Sequence, residues 1–70
     1  MTKYAIQLPN GEYISYLSGE SLTEDDKDVF NVKSSSQPDS DFALSWDFAS
    51  VAIYVMERYH LKGTVVQVER

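Results

Sequence analysis

DFASVAIYVMERYHLK, residues 47–62, is the longest stretch of this chain with a helical period, and the fold class turns on it. At about 100° per residue, Phe48, Val51, Ala52, Val55 and Tyr59 fall on one stripe, with Ser50, Tyr54, Glu57 and Arg58 opposite. That is the pattern of an amphipathic helix laid on a core. Asp47 is placed to cap its start. Lys62 and Gly63 suit its end, through the dipole and the left-handed cap respectively. The apolar arc runs on past the core stripe to a flank of Ala49, Ile53, Met56 and His60. This gives roughly 200° of apolar surface where about 100° suffices to face a core.

The segments around the helix alternate with a period of two. In KYAIQL, residues 3–8, Tyr4, Ile6 and Leu8 point one way and Lys3, Ala5 and Gln7 the other. Pro9-Asn10-Gly11 follows, with Asn-Gly the strongest short hairpin signal, so residues 3–18 are expected to form an N-terminal hairpin. After the helix, Thr64 to Glu69 reads as a strand, and Val65, Val66 and Val68 place it centrally in the sheet rather than at an edge.

The middle, residues 20–46, is less regular. Ser21 with Glu24 and Thr23 with Asp26 match capping boxes, which allows one helical turn near 22–28. Val29 to Lys33 is β-prone, and Phe42, Leu44 and Trp46 alternate. The polar Ser34 to Ser40 between these runs reads as the tip of a second hairpin. The expected fold is a single α+β domain in which one amphipathic helix packs on a small, mostly antiparallel sheet, in the order β-β-(β-β)-α-β.

Composition narrows the function classes. At 70 residues, folding buries only about 60% of the surface of the unfolded chain, yet 43% apolar residues are enough for a core. With no cysteine, neither disulfides nor thiolate metal sites are available. No apolar run is long enough to span a membrane or to serve as a signal-peptide core, so a cytoplasmic protein with no membrane partner is expected. The net charge of −5 argues against direct nucleic-acid binding. Its distribution is uneven. Glu20, Glu24, Asp25, Asp26, Asp28, Asp39, Asp41 and Asp47 against Lys27 and Lys33 give −6, and the rest of the chain nets +1.

No catalytic constellation emerges. His60 is the only histidine, and its place at a helix C-terminus accounts for it without a ligand role. No serine sits in a nucleophile elbow. Asp26-Lys27-Asp28 opens like a calcium loop but lacks the glycine at the sixth position and the glutamate at the twelfth, where Gln37 stands. Tyrosines 4, 13, 16, 54 and 59 could stack bases, but they lack flanking positive charge and read as core or rim residues. No enzyme activity, metal or cofactor is therefore expected. The candidate interaction residues are the acidic Glu20, Glu24, Asp25, Asp26, Asp28, Asp39 and Asp41, and the helix flank Ala49, Ile53, Met56 and His60. The acidic run first reads as a solvated connector; as a working surface it would dock a protein or imitate DNA phosphates. The helix flank needs cover from residues 29–46, from a protein partner or from a second copy in a homodimer.

The opening KYAIQLPNGEYI and the later ALSWDFASVAIYVMERYHLKGTVVQV resemble small proteins encoded by phages and prophages of Gram-positive bacteria. In these a K-Y-x-I-x-x-x-x-G-x-Y hairpin precedes a helix and a final G-x-V-x-x-V strand. Lys3, Tyr4, Ile6, Gly11 and Tyr13 match the opening, and Gly63, Val65 and Val68 the ending. The resemblance implies no catalytic residues. It implies a non-enzymatic protein acting in a host cytoplasm by binding and regulating, or inhibiting, a host factor.

Overall fold

The computed structural model describes residues 1–21 and 29–70, and for 20, 21 and 29–32 the backbone alone. Its elements are β1 (Thr2–Gln7), β2 (Tyr13–Ser21), β3 (Val29–Gln37), a single 3-10 turn (Ser40–Phe42), α1 (Ala49–Arg58) and β4 (Thr64–Glu69). The strands form an antiparallel sheet in the order β3-β2-β1-β4, and α1 packs against β1 and β4. The α+β class with one helix on an antiparallel sheet is thus the observed one.

β1 is the centre of the molecule. Successive strand residues face opposite sides of a sheet, and Ala5 and Ile6 are both fully buried, so both faces of β1 are covered. The alternation in residues 3–8 had suggested a half-buried strand; cover on the second face is what the pattern did not reveal. Ile14, Ala43 and Ala52 complete the buried core, which contains no polar residue among those described.

β4 pairs with β1 along its whole length, from Thr2 opposite Glu69 to Gln7 opposite Thr64. It lies at an edge, not centrally as the valines had suggested, and Val65, Val66 and Val68 are half-buried. A valine run signals a strand with some cover, but it holds no information about how many lateral neighbours the strand has.

The first hairpin opens almost at once. Its loop has three residues: Gly11 donates its amide to the Leu8 carbonyl, Leu8 donates to the Glu12 carbonyl, and Gly11 takes φ 91°. Pro9 presets the first turn position, and within the loop only Gly11 adopts positive φ, as in a three-residue turn closed by a glycine bulge. Beyond the pair Gln7–Tyr13, β1 and β2 diverge. Residues 44–46 bridge the gap. Leu44 donates to the Ile14 carbonyl of β2, and Tyr4 and Trp46 exchange both backbone bonds on β1.

This corrects the expected second hairpin. Residues 29–33 do not pair with 41–46. Instead β3 runs on through Ser34, Ser35 and Ser36, which pair with Leu17, Tyr16 and Ile14 of β2. Register shifts on either side of this stretch, at Ile14/Tyr16 and Ser18/Glu20, mark bulges, the second at Gly19 with φ 138°. The ladder bonds are made by the backbone, so a serine run serves where partner carbonyls and amides are available.

The helix ends also differ from expectation. The N-cap is Phe48, without a side-chain bond, and Asp47 instead pairs with the Lys3 ammonium. At the C-terminus, His60 donates to the Glu57 carbonyl and Leu61 to the Met56 carbonyl, which is a Schellman closure with His60 in the left-handed region at φ 56°. Gly63, expected to supply that conformation, does not have positive φ. A β-carbon disfavours left-handed backbone, so a histidine holds this position at a conformational cost that glycine would not carry.

Candidate interaction surfaces

Two groups of side chains stand outward on well-fixed backbone. The first is the 3-10 turn. Asp39 caps it, its Oδ1 accepting the Asp41 amide at 2.9 Å. Phe42 donates to the Asp39 carbonyl at 3.2 Å and Ala43 to the Ser40 carbonyl at 3.0 Å. The Arg70 guanidinium donates through Nη2 to the Ser40 carbonyl at 2.5 Å, tying the turn to the end of β4. Immediately after it, Ala43 is buried at 4% exposure and Leu44 is bonded to β2. Against that anchor, Phe42 is 63% exposed, with the exposed carboxylates Asp39 and Asp41 beside it in sequence. Neither carboxylate has an ion-pair partner among the described residues, where Lys3–Asp47 is the recorded pair.

The second group is the outer face of α1. Ala52 is fully buried, and Ala49, Val55, Met56 and Tyr59 are half-buried, so the helix is turned relative to the expected stripe. Phe48 and Val51, expected in the core, are 65% and 39% exposed, and Tyr54 is 61% exposed. The candidate flank divides. Ala49 and Met56 turn partly inward, while Ile53 is 42% exposed and His60 is exposed in the closing turn. The sequence period gives relative positions around a helix but not its rotation. Here the small side chain of Ala52 is fully buried, and the bulkier Phe48 and Val51 are left outside.

Of the acidic candidates, Asp39 and Asp41 are exposed, and Glu20 lies in β2 opposite Phe30 of β3. Glu24, Asp25, Asp26 and Asp28, with the helical turn and the calcium-like Asp-x-Asp there, lie outside the described residues. The sequence sets Phe42 in alternation with Leu44 and Trp46. In the structure the neighbouring Ala43 faces inward instead, because the 3-10 turn interrupts the extended backbone. The Pro38-Asp39 turn signal just upstream was the available clue.

Among the described residues no three histidine, aspartate or glutamate side chains gather as a metal site. No described helix is long and apolar enough to cross a membrane. Comparisons with protein-family models, curated proteins and solved structures found no match for the chain.

Proposed function

We propose that this chain is a non-enzymatic protein-binding module that regulates or inhibits a host factor, and that Phe42, flanked by Asp39 and Asp41, is its docking residue. One observation carries the reading: a large aromatic side chain is 63% exposed on a turn whose backbone is fixed on both sides. Exposing a phenylalanine forgoes burial worth about 1.5–3 kcal/mol, a sizeable fraction of the stability of so small a domain. A side chain presented on rigid backbone loses little entropy on binding, and aromatic residues recur as interface anchors. The carboxylates suit a partner whose apolar pocket has a basic rim, and such charge steers association. The prophage resemblance supports a bacterial host protein as that partner.

Capture from a Gram-positive host lysate tests this, comparing the wild type with Phe42→Ala and with the paired Asp39→Asn, Asp41→Asn variant. Asparagine at 39 retains the capping oxygen. A specific partner is expected to bind Phe42→Ala about 30-fold more weakly, as for an anchor worth about 2 kcal/mol. The asparagine pair should mainly slow association and weaken its salt dependence. The reading fails if the wild type retains no specific partner, or if Phe42→Ala binds that partner equally well.

A further inference from the structure

β4 has the side chains of a central strand but the position of an edge strand. Val65, Val66 and Val68 are half-buried, and among the described residues no strand pairs with its outer side. Its neighbours fix which of its backbone groups are used. Tyr4 exchanges both backbone bonds with Trp46, and Met1 and Arg70 exchange theirs with each other. By the alternation of an antiparallel ladder, Thr64, Val66 and Val68 therefore bond to β1, while Val65, Gln67 and Glu69 turn their amides and carbonyls outward. We propose that a second copy of this chain pairs with that edge. The two β4 strands run antiparallel about a two-fold axis at Gln67, normal to the sheet, and join the two sheets into one.

The strand is complementary to itself in this register, as a two-fold contact requires. Gln67 faces Gln67 of the other copy and Val65 faces Glu69 in both directions, so every outward residue of the strand exchanges both backbone bonds. A two-fold axis at any other residue leaves at least one of them without a strand partner. Between these pairs, Val66 of each copy faces Val68 of the other at the closer spacing of a pair without backbone bonds, which covers the exposed parts of half-buried valines. Charge agrees with the register. The Glu69 residues of the two copies stand about 14 Å apart, beyond the screening length at physiological salt, whereas an axis at Glu69 would set them face to face. The edge also lacks the devices that keep strands apart. Between Thr64 and Glu69 there is no proline or lysine, and the register with β1 is unbroken. β3, at the opposite edge, follows a ladder shifted twice and carries Lys33, so assembly stops at two copies. Strength comes from backbone bonds along a strand about 20 Å long rather than from area, and a dissociation constant on the order of 100 μM is expected.

Sedimentation equilibrium of the whole chain from about 10 μM to about 1 mM, at about 0.15 M salt, reads the association. The weight-average mass is expected to climb from 8.0 kDa toward twice that value. Gln67→Lys sets two ammonium groups against each other at the axis and should hold the mass at the monomer value. Glu69→Lys lowers the negative charge further but meets only Val65, and it should associate at least as well as the wild type. Both positions are exposed, so the fold is kept, and circular dichroism verifies this. Amide exchange of the wild type locates the contact. Between about 10 μM and about 1 mM the amides of Val65, Gln67 and Glu69 should slow about four-fold, as the expected dissociation constant requires, while Val66 and Val68 are protected at both. The proposal is overturned if the wild type remains at 8.0 kDa, if Gln67→Lys still associates, if Glu69→Lys does not, or if the three outward amides exchange equally at both concentrations. Asp39, Asp41 and Phe42 are unchanged in these variants, so loss of the dimer and loss of a host partner are read separately.

Discussion

Gly63→Ala is expected to lose about 2–3 kcal/mol of stability, from a total of roughly 3.5–10 kcal/mol for a domain of this length. A β-carbon at Gly63 would stand 2.7 Å from the Gln7 carbonyl oxygen and 3.0 Å from Ile6 Cγ2. Side chains can rotate away; the Gln7 backbone cannot. Gln7 is paired with Thr64 on one side and Tyr13 on the other, at the position where β4, β1 and β2 join. Any shift of its carbonyl opens both pairings. Urea unfolding would show a midpoint about 2–3 M lower at a slope near 1 kcal/mol/M. Since the closest contact is to backbone, trimming Ile6 at the same time would not restore the loss.

The second large effect is at Ile6 itself. Its side chain is fully buried in the central strand, and the buried core among the described residues has only one other large member, Ile14. Ile6→Ala removes apolar contact and leaves a cavity, at a cost of about 2–5 kcal/mol. With three alanines making up the rest of that core, little bulk is available to collapse into the space. Urea unfolding should show Ile6→Ala losing about 2–5 kcal/mol, while Ile6→Val should lose only about 1 kcal/mol. A folded Ile6→Ala within 1 kcal/mol of the wild type would mean that β1 is not the centre of the core.

These residues show which parts of the fold could be read from the sequence. β1 and β4 were legible because Tyr4-Ala5-Ile6 and Val65-Val66-Gln67-Val68 have strand character in their own side chains. The helix was legible from the period of residues 48–59. Lateral order was not, since nothing in the side chains of β4 records that its other edge lacks a strand. Gly63 was assigned to a cap by position alone, and its steric role depends on Gln7, which is 56 residues away in sequence. The serine strand was hidden because backbone bonds carry no side-chain period. Phe42 was not legible because the 3-10 turn at Ser40–Phe42 takes it out of the extended backbone on which the alternation with Leu44 and Trp46 depends.

The central claim is that residues 40–46 are fixed between β1 and β2, so that Phe42 is held outward on rigid backbone. Amide hydrogen exchange measures this at the bonds concerned: Ala43 to Ser40, Leu44 to Ile14 and Trp46 to Tyr4. The structure predicts that these three amides open only with the whole domain, with protection matching Ala5 and Ile6 in β1. Exchange of Ala43, Leu44 and Trp46 at rates typical of an exposed loop, while β1 stays protected, would contradict it.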